Sequence, residues 1–337
     1  MKLIKPSFLI KEQEPELIGI YRQIEYAGRI CYKSSNKITE DSAKPFVDRM
    51  VKSGHGAMLE HGTVYLEFHV KDPSEVGEEE YHSQQSELNK LISRYANNKY
   101  SIIKVNHYYD TIFITTNYRV LIENNWLKDL RYICKPTEYH EKRVTVKFIL
   151  SRSIAQEYTR HRVFSFAMES QRYCNYSKDK FDNEVTFIIP CWLSSSLIEG
   201  NYKWEDQNPL LTAGMSVEEA GYDDSSDLWI KDDNNGYNEY KRHYDNWVET
   251  ETFMHSLQVA ENNYLALINQ GWKPQQAREV LPNACKTELV MTGFISDWKH
   301  FFELRCSEAA HPQARELAIP LKEEFIKRGY ITVKTNI

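Results

Sequence analysis

The sequence lacks the features that mark secreted, membrane-spanning and nucleic-acid-coating proteins. Its 337 residues contain no run of 18 apolar residues, and segment 1–21 mixes Lys, Glu and Pro with apolar residues, so no signal-peptide core is visible. The formal net charge is -6, which argues against general binding to nucleic acid or anionic membranes. We therefore expect a cytoplasmic protein with neither a nucleic-acid nor a membrane partner.

Paired cysteines and glycine-rich phosphate loops are also missing. The six cysteines are scattered through the chain: Cys31, Cys134, Cys174, Cys191, Cys285 and Cys306. No two of them form a Cys-x-x-Cys pair, so we expect reduced thiols, no disulfide framework and no metal site. No Gly-x-Gly-x-x-Gly follows a predicted strand, which argues against a Rossmann domain.

Hydrophobic periodicity predicts a mixture of helices and strands. Alternating apolar residues predict strands at 63–70 and 144–150, and further strands are expected at 1–10, 111–115 and 187–190. Apolar residues at helical spacing predict helices at 15–31, 39–53, 120–132, 247–270, 274–280, 289–305 and 313–328. Without internal repeats or a low-complexity linker, we expect one domain, 1–337, interrupted by polar insertions at about 72–142 and 194–246.

One basic stretch stands out in this mildly acidic chain. The triplet Arg160-His161-Arg162 is followed seven residues later by Ser170, and then by Arg172-Tyr173. Guanidinium groups present rigid pairs of donors, and a hydroxyl adds an adjustable donor, so these residues suit phosphate oxygens. The capping-box spacing of 153–156 predicts a helix that runs into the triplet, which places the basic residues at a helix C-terminal end.

This pattern of Arg-His-Arg, seven residues and Ser resembles the signature of the flavin-dependent thymidylate synthases. Further stretches resemble other segments of that family in the same order: 27–32, His55 with Glu60-His61, 151–162, 165–173, Arg278 to Pro282, Phe301 to Arg305, and 311–313. The chain departs from the family at Ala167-Met168, where many members carry Asn-Glu or Gln-Gln. The resemblance implies an α+β fold with a central, mainly antiparallel sheet flanked by helices, and makes 72–142 and 194–246 insertions that are atypical of the family.

The resemblance also implies an activity, the reductive methylation of dUMP to dTMP. Methylenetetrahydrofolate would donate the carbon, and reduced FAD would supply the hydride and be re-reduced by NADPH. No protein nucleophile is implied, so none of the cysteines has a catalytic role. Members of the family are homotetramers with active sites shared between subunits, and we expect the same arrangement here.

Residue roles follow from the same resemblance. It assigns dUMP binding to Glu157, Arg160, Ser170, Arg172, Arg278 and Arg305. It assigns FAD binding to His61, Arg160, His161, Arg162 and His311. Arg305 is the expected catalytic residue, because a guanidinium at the uracil edge would stabilise the oxyanion that forms as C5 becomes nucleophilic.

Each residue also has a purely structural interpretation. The triplet can complement a helix dipole, Ser170 can cap a turn, and Arg278 can be a solvated helix residue. Arg305 can extend from an aromatic helix, and His61 and His311 can be hydrogen-bonded structural histidines. At the level of function, the alternatives are a non-catalytic nucleotide-binding protein on the same scaffold, suggested by Ala167-Met168, and an RNA-binding module.

Overall fold

The computed structural model describes residues 1–106, 110–193 and 234–332, with the backbone alone for 234–248. Most of the expected insertion at 194–246 therefore lies outside the described residues, and its last part, from Asn234, is helical. The chain forms two compact units. The smaller unit comprises Met1–Ile4 and Asn175–Cys285, and the larger unit comprises Lys5–Cys174 and Lys286–Ile337. The prediction of one catalytic domain with two insertions stays a prediction.

The described residues contain strands and helices from one end of the chain to the other. The strands are β1 (Lys2–Ile4), β2 (Ser7–Lys11), β3 (Thr63–His69), β4 (Ile102–Asn106), β5 (Thr111–Asn117), β6 (Arg143–Ser151), β7 (Ser165–Met168), β8 (Thr186–Ile188) and β9 (Lys286–Phe294). The helices are α1 (Glu16–Cys31), α2 (Ala43–Lys52), α3 (Gly56–Leu59), α4 (Pro73–Val76), α5 (Glu78–Ala96), α6 (Tyr118–Glu123), α7 (Arg152–Tyr158), α8 (Asn234–Asn269), α9 (Pro274–Ala277), α10 (Ile295–Arg305) and α11 (Pro312–Lys327). Short 3-10 turns occur at Ser35–Lys37, Leu127–Tyr132, Asp179–Phe181 and Arg278–Val280.

The main sheet of the larger unit is antiparallel throughout, in the order β2-β6-β9-β7. Its longest pairing joins β6 to β9 over nine residues, from Arg143 opposite Phe294 to Ser151 opposite Lys286. A second antiparallel sheet has the order β3-β5-β4. The expected α+β fold with mainly antiparallel sheets and flanking helices is confirmed.

Strand β9 corrects the sequence prediction, which made 289–305 one helix. Residues Lys286–Phe294 form a strand, and the helix α10 begins only at Ile295. Every residue from Thr287 to Gly293 is buried, because β9 lies between β6 and β7 and is covered on both faces. A strand buried on both faces has no alternation of apolar and polar residues, so its apolar run reads equally well as a buried helix.

The start of α7 differs from the prediction as well. The helix begins at Arg152, and its cap is Ser151, whose Oγ accepts a hydrogen bond from the backbone N–H of Ile154 at 3.5 Å. The expected capping box at 153–156 is therefore wrong by two residues. The helix ends at Tyr158, so the basic triplet lies in the turn between α7 and the unpredicted strand β7.

The second sheet is built largely from the stretch expected to be an insertion. All seven residues of β5 are buried, and β5 pairs with β3 from Thr63 opposite Asn117 to His69 opposite Thr111. Helix α5 contributes Leu88, Leu91 and Tyr95 to the same core. The helix predicted at 120–132 is split in two, because Asn125 takes a left-handed conformation with φ of 59° between α6 and the following 3-10 turn. Segment 72–142 thus contributes residues to the hydrophobic core as well as to the surface.

An aromatic cluster fills the core beside the main sheet. The fully buried indole of Trp298 lies 4.7 Å from the ring of Phe164 and 5.3 Å from those of Phe301 and Phe325, measured between ring centroids. Its Nε1 donates to the backbone oxygen of Val144 at 3.1 Å. The predicted core role of the aromatic residues in 294–302 is confirmed for Trp298, Phe301 and Phe302, which are all buried.

The smaller unit has its own short parallel pair, β1 with β8. Its buried Glu261 receives the N-terminal ammonium of Met1 at 3.0 Å and the backbone N–H of Val185 at 2.7 Å. Across both units, none of the helices that the structure describes combines the length and apolar character needed to span a membrane.

Candidate active site

Arg305 is the centre of a hydrogen-bonded group at the end of α10. Its Nε donates to Nε2 of His161 at 3.0 Å, its Nη1 to Oε2 of Glu157 at 2.8 Å, and its Nη2 to the backbone oxygen of Glu157 at 2.6 Å. Its guanidinium also lies 5.9 Å from the ring centroid of Tyr158. Three residues predicted from distant segments are thus brought into direct contact, and we name Arg305, His161 and Glu157 the arginine triad.

The acceptor role of His161 requires a neutral imidazole. Burial, together with the nearby charges of Arg305 and His300, lowers the pKa of His161 to about 4. The ring packs 5.1 Å from that of Phe301, between ring centroids, which fixes its orientation. At neutral pH the lone pair on Nε2 is therefore available, and it holds the guanidinium of Arg305 in one position.

The two arginines of the basic triplet, Arg160 and Arg162, are both exposed. Arg162 lines a cavity of about 520 Å³, together with Arg143, Lys99 and Tyr100. This volume falls within the ordinary range of ligand pockets.

Arg143 is a half-buried cation beside this cavity that the sequence did not single out. Its guanidinium donates to the backbone oxygen of Glu60 at 2.9 Å, to Oγ1 of Thr63 at 3.3 Å and to Oγ of Ser165 at 3.2 Å. Burial lowers the pKa of Arg143 to about 10, so the group is still charged at neutral pH. The cavity wall carries charges of both signs: the cations Lys99, Arg119, Arg143 and Arg162 and the carboxylates Glu60, Glu123 and Asp297.

Ser170 and Arg172 form a separate group, which we name the serine turn (Ser170 to Tyr173). The backbone N–H of Ser170 donates to the oxygen of Cys31 at 3.0 Å, and Oγ of Ser170 accepts from the N–H of Arg172 at 3.3 Å. The exposed guanidinium of Arg172 lies 5.5 Å from the ring centroid of Tyr173, and that ring is 5.1 Å from the ring of Tyr32. The turn therefore presents a hydroxyl and a guanidinium on an aromatic support.

The arginine triad and the serine turn lie on opposite sides of β7 in the sequence and in the sheet. His161 precedes the strand, which runs from Ser165 to Met168, and Ser170 follows it. The strand alone separates its ends by roughly 10 Å. Ala167-Met168, where the chain departs from the family pattern, belongs to this strand and pairs with Val290 and Leu289 of β9.

The contacts of the remaining predicted residues involve other partners. Arg278 belongs to the smaller unit, where its Nε lies 3.5 Å from Oε1 of Glu279. His61 is fully buried, with Nδ1 2.8 Å from Oγ1 of Thr292, and burial with the charge of Arg143 lowers its pKa to about 3. His311 caps α11 by accepting from the N–H of Gln313 at 3.3 Å. These contacts agree with the structural interpretations of the two histidines, and their roles as flavin ligands stay predictions.

A family model described as thymidylate synthase complementing protein matches residues 135–328, which is more than half of the chain. The chain belongs to this family. The match contains the arginine triad, the serine turn and all of β9.

Individual relatives agree with the family assignment. The flavin-dependent thymidylate synthase of Mycobacterium sp. (strain KMS) is 31% identical over 177 residues, which cover 52% of this chain and 55% of the relative. The flavin-dependent thymidylate synthase of Pyrococcus furiosus is 30% identical over 181 residues, which cover 54% of this chain and 53% of the relative. The chain thus spans about half the length of the curated relatives that it matches.

Among solved structures, the chain is similar to a UMP/dUMP methylase PolB from Streptomyces cacaoi bound with 5-Br dUMP. The sequence identity is 14%, the TM-score is 0.38, and the match covers 97% of this chain and 93% of the other. A TM-score this low does not allow the two sites to be compared residue by residue.

The low pKa of His161 can be tested directly. We expect the carbon-bound ring proton of His161 to titrate in NMR spectra well below the ordinary histidine value of 6.5, near 4. Because the unfolded chain then binds a proton at higher pH than the folded chain does, this group makes stability fall as the pH drops from about 6.5 to about 4. The variant His161→Gln, which keeps a neutral acceptor, should show a shallower decrease. A titration of His161 near 6.5 would contradict the neutral-acceptor role.

Proposed function

We propose that the chain is an FAD-dependent thymidylate synthase that methylates dUMP to dTMP. Methylenetetrahydrofolate donates the carbon, and NADPH re-reduces the flavin. The observation that carries the proposal is the arginine triad, because Arg305, His161 and Glu157 meet although up to 148 residues separate them. Family membership and the names of the curated relatives support the same activity.

In this proposal Arg305 recognises the uracil ring. A guanidinium has five N–H donors, and the arginine triad uses three of them. The side chain is 16% exposed, so its remaining donors can reach a bound molecule. As C5 of uracil becomes nucleophilic, negative charge develops on a carbonyl oxygen attached to the ring, and a fixed cation stabilises that charge without reorganising. Glu157 and His161 hold the cation in place.

The serine turn is the proposed site for the phosphate of dUMP. A monophosphate carries about two negative charges near neutral pH, and its oxygens match a guanidinium and a hydroxyl. The ring of Tyr173 beneath Arg172 restricts the guanidinium, which reduces the entropy lost on binding. Arg160 and Arg278 remain proposed contacts of dUMP.

The residues around the cavity beside Arg162 fit a flavin dinucleotide. Arg162 and Arg143 match its phosphates, and Tyr100 offers an exposed aromatic face. The cavity of about 520 Å³ can hold part of such a molecule. His161, as well as the more distant His61 and His311, remain proposed flavin contacts. When bound and reduced by NADPH, the flavin would supply the hydride that converts the transferred methylene into a methyl group.

The cysteines support a mechanism without a protein nucleophile. Burial raises the pKa of the thiols of Cys31 and Cys306, and it raises that of Cys134 to about 12. Protonated thiols are poor nucleophiles. The same free thiols suit the reducing cytoplasm, where we propose that the protein acts.

The separation of the two groups by β7 supports self-association. A nucleotide must be held at both its phosphate and its base, yet one chain presents these two groups at opposite ends of a strand. We therefore propose a homotetramer in which the arginine triad of one subunit and the serine turn of another complete a shared site.

The purified full-length chain should absorb visible light as a flavoprotein, or do so after addition of FAD. With methylenetetrahydrofolate and NADPH present, it should release the hydrogen from C5 of dUMP and form dTMP. Absence of both flavin binding and dUMP-dependent turnover would refute the proposal. Binding of dUMP without hydride transfer would favour the non-catalytic alternative, and RNA affinity that falls steeply with salt would favour the RNA-binding alternative.

Removing the guanidinium of Arg305 should abolish most of the turnover. Because loss of one oxyanion donor typically costs about 100- to 1,000-fold in rate, we expect at least that decrease in kcat for Arg305→Ala. The matched control is Arg328→Ala, which removes a surface arginine paired with Glu324 and Glu12 and should leave kcat unchanged. A folded Arg305→Ala variant with wild-type kcat would contradict the catalytic role.

Shared sites predict complementation between two impaired variants. Arg172→Ala should raise the dUMP concentration needed for half-maximal rate, because it removes a charged phosphate contact. Co-expressed with Arg305→Ala and assayed at low dUMP, it should recover up to about a quarter of the wild-type activity by random pairing of subunits. No recovery in mixed oligomers would place both residues of each site on one chain.

A further inference from the structure

A cluster of buried charges lies directly behind the serine turn. Nζ of Lys286 is 2.7 Å from Oε2 of Glu169 and 2.8 Å from Oε1 of Glu288. Lys147 contacts the other oxygen of Glu288 at 2.7 Å, and Lys33 also pairs with Glu288. The two carboxylates are 1% and 5% exposed, so their charges depend on the lysines for compensation.

The charges in this cluster stabilise one another. Lys33, Lys147 and Lys286 pair with Glu288, and Lys286 also pairs with Glu169. Burial by itself would lower the pKa of Lys286, but Glu169 and Glu288 raise it above its ordinary value. Burial would likewise raise the pKa of Glu288, but Lys286 is the strongest of the lysine contacts that lower it below the usual range. Both groups are therefore charged at neutral pH.

Glu169 ties this cluster to the proposed phosphate contacts through the backbone. Its N–H donates to the backbone oxygen of Glu288 at 2.9 Å, and the next N–H, that of Ser170, donates to Cys31 at 3.0 Å. Lys33, two residues after Cys31, belongs to the same cluster. Side-chain and backbone contacts therefore fix both ends of the peptide from Glu169 to Ser170.

We infer that Lys286 is a positioning residue for the phosphate of dUMP, which it serves by holding Glu169 and thereby the serine turn. The inference rests on the function proposed above. It adds Lys286, a residue that acts on the phosphate through Glu169 and not by direct contact. Lys286 acts in two ways. It keeps Ser170 and Arg172 in one arrangement before the nucleotide arrives, and it neutralises a carboxylate that would repel the phosphate one residue away.

The test compares dUMP with deoxyuridine, which lacks the phosphate, as ligands of the full-length protein. In Lys286→Met, we expect the dissociation constant for dUMP to rise by about tenfold or more, and that for deoxyuridine to stay within about twofold. KM for dUMP should rise while kcat at saturating dUMP changes much less, and FAD affinity should stay the same. Lys286→Arg, which keeps the charge, should restore most of the dUMP affinity.

Asp129→Asn is the matched control for loss of a buried ion pair. Asp129 is 2% exposed and accepts from Arg94 and from the hydroxyl of Tyr95, each at 2.8 Å, within the second sheet's core. Its replacement should lower the thermal midpoint of unfolding without changing the affinity for either ligand. This control therefore shows whether a general loss of stability is enough to weaken the binding of dUMP.

Two outcomes would overturn the inference. One is a folded Lys286→Met variant with wild-type dUMP affinity, and the other is an equal loss of affinity for dUMP and deoxyuridine. If Lys286→Met does not fold, Lys286→Gln provides the same comparison, because it removes the positive charge but keeps a side-chain donor for Glu169 and Glu288. A wild-type protein that binds no dUMP would instead refute the proposed function itself.

Discussion

The antiparallel pairing of β9 with β6 and β7 is the constraint on which the proposed site depends. Nine consecutive residue pairs join β9 to β6, and four join it to β7. The start of β9 carries Lys286 and Glu288 to the serine turn. Its end leads at Ile295 into α10, whose last residue is Arg305. A slip by one residue would turn every side chain of β9 to the opposite face and separate both groups from their partners.

Electrostatic compensation explains how so many charged and polar groups are held in a folded interior. His161 stays neutral so that it can accept from Arg305, while Glu157 supplies the negative charge. Behind the serine turn, Lys286 and Lys147 compensate the buried charges of Glu169 and Glu288. In both arrangements a cation and a carboxylate are held in fixed positions by each other, so neither needs water to stabilise its charge.

Much of the fold could be predicted because local patterns of apolar residues indicate many of its strands and helices. The alternation at 63–70 and 144–150 identified β3 and β6, and helical spacing identified α1, α2 and α11. The sequence motif also led to Arg305, His161 and Glu157. Strands β7 and β9 were missed because a short or fully buried strand lacks alternation. Lys286 and Glu169 were missed because a pairing over 117 residues leaves no local signal, and only the register of β9 brings them together.

The same register explains why the arginine triad and the serine turn have different surroundings. In the part of the chain that the structure describes, β7 is short and pairs with β9 alone, so the residues before and after it face different neighbours. His161, before the strand, contacts α10, and Ser170, after it, contacts the end of α1 at Cys31. In the function proposed above, the group before β7 contacts the base and the group after it contacts the phosphate. The proposed shared site of a symmetric oligomer would then take one group from each of two subunits.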